Sequence, residues 1–180
     1  DPGLLILPYH RVVGHLPPEL FTQVRDRLAQ PFIIRPVAID TRTAGPLEAL
    51  VAQEGQGRPA IGLLGPSGEG PYLLTAGNAP LIDRYTPSGP EASLREVEAW
   101  LLQEVVLRPI LGEGFANYLT YVHEGQQALD MVQSGGAQLA FFLKGIPPQL
   151  FQRLVGAGIR LPRKSTYFHP KLPSGLVIKS

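Results

Sequence analysis

Apolar segments of two different periods alternate through the last third of the chain, and this alternation limits what it can fold into. Tyr118-Leu119-Thr120-Tyr121-Val122-His123 reads as a strand, residues 126–133 as a helix closed by Gly135, and residues 137–143 as a second strand. Residues 147–155 then form a helix with Leu150, Phe151, Leu154 and Val155 along one side, and Gly156 and Gly158 as stop signals. Strand, helix, strand, helix requires a sheet with at least one parallel crossover.

The earlier part of the chain adds strands to the same sheet. Leu4-Leu5-Ile6-Leu7, bounded by Gly3 and Pro8, reads as a buried strand that Tyr9 to Val13 extends past a kink at the proline. Pro17-Pro18-Glu19 opens a helix with Leu20, Phe21, Val24 and Leu28 at helical spacing. Residues 32–39 form a strand whose Pro36 cannot donate to a ladder, which places it at an edge or a bulge. A short helix covers residues 47–52 after Pro46, and residues 60–64 and 72–75 flank the glycine-rich tip of an antiparallel hairpin. Residues 80–90 read as loop. Ser93-Leu94-Arg95-Glu96 has the pattern of a capping box, opening a helix that Pro109 ends near Leu107. Two short strands at residues 165–168 and 176–178 close the chain. The expected fold class is α+β: a mixed sheet with a parallel crossover and an antiparallel hairpin, covered by about five helices, in one domain spanning residues 1–180.

Length and composition exclude several chemistries. At 180 residues and 44% hydrophobic, the chain can bury a core without staples, and with no cysteine it has no disulfide, thiolate nucleophile or cysteine zinc site. The four histidines, His10, His15, His123 and His169, have no local metal-ligand spacing. No Gly-x-Ser-x-Gly elbow is present, and no basic run is interleaved with aromatics over a length that suggests a nucleic-acid groove. No apolar run approaches the roughly 20 residues of a membrane span, and Asp1-Pro2-Gly3 lacks the basic start of a signal peptide, so a cytoplasmic protein is expected.

The net charge of +1 hides an asymmetry. Residues 1–130 carry nine basic and fifteen acidic side chains, whereas residues 131–180 carry seven basic and none acidic. Such a block attracts anions such as phosphorylated metabolites, nucleotides or nucleic acid. Equally, it can pack beside the acidic stretch from Glu91 to Glu104 and cancel in space.

Within the block, residues 158–165 have P-loop spacing, but Arg163 stands where a glycine belongs and the order is helix into strand, so this is not a P-loop. Arg163, Lys164, Ser165, Thr166, Tyr167, His169 and Lys171 nonetheless gather cations, hydroxyls and an imidazole that suit an anion. In an extended strand Lys164, Thr166 and Phe168 face one side and Ser165, Tyr167 and His169 the other, so they converge on one ligand only if Pro162 or Pro170 bends the chain. The set is read either as an anion or substrate site or as a polar edge strand. His10-Arg11, directly after the first strand, is a second candidate, because an imidazole beside a guanidinium can hold an anion and move a proton. His123 sits at another strand end. Gly65 to Gly70 resembles a phosphate-cradling loop by composition alone and reads as a hairpin tip.

Two stretches, residues 4–13 and residues 161–177 with Leu161-Pro162-Arg163-Lys164-Ser165-Thr166-Tyr167-Phe168-His169-Pro170-Lys171, together resemble the domain-of-unknown-function 1015 family of bacteria and archaea. The resemblance implies that the chain is the C-terminal portion of a longer protein. The N-terminal region of that protein, with an Asp-Gly-His-His-Arg motif, is absent here and would be its partner. That motif is similar to one in the ParB-like fold shared by chromosome-partition proteins and an ADP-dependent free serine kinase. It therefore implies ADP or ATP with magnesium as cofactors of the full-length protein, and little activity for this portion alone. The expected function is the anion-, nucleotide- or phosphometabolite-binding half of a kinase-like phosphotransferase, with His10, Arg11, Arg163, Lys164, Ser165, Thr166, Tyr167, His169 and Lys171 as its half-site. The alternatives are a non-catalytic binding or regulatory module, with nucleic acid as its partner, and a scaffold domain.

Overall fold

The computed structural model describes residues 5–169, so Lys171 and the strand expected at 176–178 lie outside the described residues. The chain runs β1 (Leu5–Leu7), β2 (His10–Val13), α1 (Pro18–Leu28), β3 (Phe32–Pro36), α2 (Gly45–Glu54), β4 (Ala60–Leu64), β5 (Tyr72–Ala76) and α3 (Ala79–Tyr85). A 3-10 segment, Gly89–Glu96, leads into α4 (Glu98–Trp100), a π-helical stretch (Leu101–Leu107) and α5 (Arg108–Leu111). The chain continues through β6 (Leu119–Val122), α6 (Gly125–Gln133), β7 (Leu139–Phe142), α7 (Pro148–Gly156) and β8 (Tyr167–His169). The fold is α+β, as the segment pattern requires.

Six strands form the main sheet in the order β3-β5-β4-β7-β2-β6, and every neighbouring pair is antiparallel. The crossover expected from the sequence is present: among the described residues four helical connections, β2 to β3, β3 to β4, β5 to β6 and β6 to β7, join parallel strands, and two of them skip a single strand. β6–α6–β7 joins two parallel strands, but β2 lies between them; β3–α2–β4 does the same around β5. A helical connection fixes the direction of the returning strand without fixing its neighbour, so a parallel crossover coexists with an antiparallel ladder. The hairpin of β4 and β5 stands as expected, and β3 with its Pro36 is an edge strand.

Both faces of the sheet are covered. Period-2 alternation sends Val13, Leu63, Leu139 and Phe141 to one side, against α1, the 101–107 stretch and α7. Val12, Leu64, Ala140 and Phe142 go to the other, against α2 and α6. Burial on both faces explains why β4 and β7 read as continuous apolar runs.

Four expectations are corrected. Tyr9 to Val13 does not extend the first strand: Pro8 breaks it, β2 enters the main sheet, and β1 pairs with β8 as a separate two-stranded ribbon, with Ile6 opposite Phe168. The loop expected at residues 80–90 holds α3, because Asn78 Oδ1 accepts from the Leu81 N–H and Pro80 fits the first turn. Ser93 and Glu96 do not form a capping box. Val97 is extended, the helix begins at Glu98, and the Glu96 carboxylate instead accepts from Arg153 Nη2 at 2.8 Å.

Nor does Pro109 stop that helix. Lacking an N–H, it cannot serve the Val105 carbonyl one turn back. The helix widens to π geometry over Leu101–Leu107 and continues through α5, while Arg27 Nε on α1 donates to Val105 O at 2.8 Å. No described helix is long and apolar enough to cross a membrane.

Candidate functional site

Pro8 and Tyr9 carry the chain from the ribbon into the main sheet, and the candidate residues gather at this joint. Arg11 pairs with Tyr121 across the β2–β6 ladder, so the two side chains share a face, and the guanidinium carbon sits 5.3 Å from the Tyr121 ring centroid. Its Nη1 donates to the Tyr9 carbonyl and its Nη2 to the Arg163 carbonyl at 3.1 Å. Arg11 is 3% exposed, and burial holds it down at about 10, well below the ordinary value of a guanidinium. No carboxylate pairs with it among the described residues.

The segment before β8 folds tightly under this clamp. Ser165 is buried and its hydroxyl donates to Pro162 O at 2.6 Å, which commits that oxygen to the turn. Lys164 adopts a left-handed φ of 55° that turns its side chain back, with the ammonium 5.0 Å from the Tyr9 ring centroid. Arg163 and Lys164 are exposed and Thr166 is half-buried. On β8, Tyr167 stacks on His123 at 4.8 Å and 14°, meets Tyr9 edge-on at 5.8 Å, and lies 6.5 Å from His169 on its own strand face. Phe168 faces the other way, onto Phe151 of α7.

The structure thus brings together Arg11, Arg163, Lys164, Ser165, Tyr167 and His169, and it separates His10 from them. One residue along a strand reverses the face, so His10 points to the α2–α6 layer. There the Leu143 N–H donates to Nδ1 at 3.2 Å, which leaves the ring hydrogen on Nε2, donated to Glu48 Oε1 at 3.1 Å. That hydrogen bond holds the Glu48 carboxyl below its usual range. The pairing of imidazole and guanidinium on one anion, suggested by their adjacency, is not formed.

Three members of the joint, Tyr9, Tyr121 and His123, escaped the half-site read from the sequence. Their signal was the i, i+2 spacing of Tyr9 with Arg11 and of Tyr121 with His123, one pair on each strand of a ladder not yet known. Glu48 left no local signal, since it meets His10 across 38 positions.

The basic block divides between its two readings. Lys144 and Arg153 pair with Glu98 (2.5 Å) and Glu96 (2.8 Å) of the acidic stretch, so here the charges do cancel in space. Arg163 and Lys164 form no ion pair among the described residues. What they offer is two exposed cations, of which the Lys164 ammonium lies over the Tyr9 ring that meets the phenol–imidazole stack edge-on, with Glu124 at 3.7 Å from His123 as the acidic neighbour. The described residues contain no group of three His, Asp or Glu placed to hold a metal ion.

No family model and no curated protein matches this chain. Among solved structures, a free serine kinase in complex with AMP aligns with 92% of this chain and 54% of its own, at 14% identity and a TM-score of 0.51. A conserved hypothetical protein from Pyrococcus furiosus aligns with 96% of this chain and 58% of its own, at 16% identity and a TM-score of 0.51. The chain therefore shares its fold with these proteins and spans little more than half of their length.

Proposed function

We propose that this chain is the C-terminal, ligand-binding portion of a nucleotide-dependent phosphotransferase of the domain-of-unknown-function 1015 type, and that the joint between its two sheets receives the anion. The observation that carries the reading is the division of the basic block: Lys144 and Arg153 are neutralised by the acidic stretch, while Arg163 and Lys164 stay exposed, Lys164 with its ammonium over the Tyr9 ring that meets the Tyr167–His123 stack edge-on. Cations suit phosphate oxygens, and the Tyr167–His123 stack supplies flat faces for a purine. Arg11 acts behind this surface, fixing the Arg163 backbone through its carbonyl. The AMP-bound kinase with the same fold supports a nucleotide as the ligand class. Phosphoryl transfer depends mostly on positioning and charge stabilisation, which a cationic half-site provides without holding the base. The described residues hold no group of three His, Asp or Glu for a metal ion, so a magnesium ion would be held largely by the nucleotide's own phosphate oxygens with one or two carboxylates.

The experiment is calorimetric titration of ADP, ATP and phosphoserine into the protein, alone and extended by its N-terminal region. Lys164→Ala and Arg163→Ala should each weaken binding about tenfold, as expected for loss of one charge-assisted contact. Unchanged affinity in both variants removes the site.

A further inference from the structure

A second site is built on the opposite arm of the sheet, where a cleft of about 400 Å³ opens between α1 and the β3–β5–β4 strands. Its floor is apolar, formed by Leu28, Ile34, Leu63 and Leu139, and its rim carries the Phe21 and Tyr72 rings with Arg25, Asp26 and Glu69. That is the make-up of a small-molecule site: a ligand-sized volume, apolar walls, and a few polar groups at the mouth.

The rim already shows what it prefers. Glu69, on the glycine-rich tip between β4 and β5, accepts from Arg25 Nη2 at 3.0 Å and from the Tyr72 hydroxyl at 3.2 Å. The same Arg25 guanidinium lies 5.7 Å from the Phe21 ring centroid. A tethered organic cation therefore occupies a carboxylate and an aromatic face together. Arg25 and Glu69 are 49% and 40% exposed, so their pair is weak and exchangeable. Asp26 has no ion-pair partner among the described residues, and with Arg25 and Glu69 it leaves the rim with a net charge of −1.

We propose that this cleft binds a small amphipathic organic cation, an aryl- or alkylammonium whose charged end displaces Arg25 from Glu69 and whose apolar body lies on the floor. The glycine-rich loop thus serves to carry a carboxylate over the cleft and does not cradle a phosphate.

Phenethylammonium titrated into the protein, followed by methyl NMR, tests this, with phenylacetate as the isosteric anion. Saturable shifts confined to the methyls of Leu28, Ile34, Leu63 and Leu139 are expected for the amine and not for the acid. Glu69→Gln should weaken binding about fivefold, and Arg25→Ala, which removes the tethered competitor, should tighten it about threefold. Equal binding of acid and amine, absence of saturation up to about 10 mM, or indifference to Glu69→Gln overturns the proposal. Because Arg163 and Lys164 are untouched, the outcome is independent of nucleotide binding at the joint.

Discussion

Arg11 Nη2 donates to the backbone carbonyl of Arg163, 3.1 Å away and 152 positions later in the chain, and so ties the main sheet to the segment that feeds the ribbon. A guanidinium suits the task because one rigid fork serves two carbonyls, here Tyr9 and Arg163. The charge opposes the arrangement. Burial lowers the group to about 10, so from there up to its ordinary value the unfolded chain binds the proton more tightly than the folded chain does. Stability contributed by this group therefore rises with pH through that window and is smallest at neutrality. Arg11→Met, of similar length but without donors, leaves two carbonyls unpaired and should lower stability by about 1–3 kcal/mol in urea titrations. Faster amide exchange at Tyr167–His169 should accompany it. A more stable Met variant would mean that charge burial outweighs both hydrogen bonds.

Glu48 and Gly125 occupy adjoining space: a Cβ on Gly125 would overlap the carboxylate that His10 holds. Gly125→Ala should push Glu48 aside and cost on the order of 1 kcal/mol, the worth of one modest hydrogen bond. In a Glu48→Ala background the same substitution should cost much less, and equal costs in the two backgrounds would rule out the coupling. The His10 hydrogen bond lowers the Glu48 carboxyl, so its contribution is present above its ordinary 4.5 and is lost as pH falls through the lower folded value. With Glu48 40% exposed, solvent screening limits that contribution to about 0.5 kcal/mol. Glu48→Gln should flatten the acid limb of a stability profile by that amount.

What the sequence revealed and what it withheld divide along contact range. Short apolar runs between glycines and prolines located the β4–β5 hairpin and the strand–helix–strand order of the last third, because period and turn chemistry are local. That β2 would slip between β6 and β7 was not legible, since a crossover does not record which strand fills the gap. The cations of the joint were visible as composition. Their separation from His10 follows from strand alternation, which becomes decisive once β2 is known to pair on both sides. Arg163 and Lys164 were indistinguishable from Lys144 and Arg153 until partners arrived from a distant segment. The capping-box reading failed for the same reason, as Glu96 has a better partner in Arg153, 57 positions away.

Lys144 and Glu98 make the most deeply buried ion pair described, 12% and 2% exposed, with the Ala60 N–H also donating to Glu98. Burial pushes the Glu98 carboxyl up, and Lys144 opposes that shift. Lys144→Met leaves the carboxylate without its counter-charge and should cost about 3–5 kcal/mol at neutral pH. A carboxyl raised in the fold costs stability above its ordinary 4.5, a cost relieved as pH falls through the folded value. The Lys144→Met variant should therefore regain stability relative to the native chain on acidification from neutrality toward the ordinary carboxyl range. Adding Glu98→Gln should restore most of the loss, and a double variant as unstable as the single one would mean that Lys144 acts through its packing over Gly55 instead.

Pro109 and Arg27 act on one carbonyl, that of Val105, the first by failing to supply a donor and the second by supplying one. Arg27 Nε donates at 2.8 Å while Nη1 donates to Gln30 Oε1 and the guanidinium lies 5.1 Å from the Tyr85 ring centroid. Its Nη2 is buried with no hydrogen-bond partner, so the side chain is placed to serve the carbonyl at some cost to its own solvation. Arg27→Leu should leave Val105 O unpaired and lower stability by about 1–3 kcal/mol. In Pro109→Ala the backbone N–H returns, the 101–107 stretch can close regular α-helical bonds, and the need for Arg27 falls. The double variant should then be more stable than the sum of the single effects by about 1 kcal/mol, a coupling that thermal or urea unfolding of the four proteins measures directly. Additive effects would separate the two residues and leave the π geometry to the packing of Leu101, Leu102, Val105 and Val106 against the sheet.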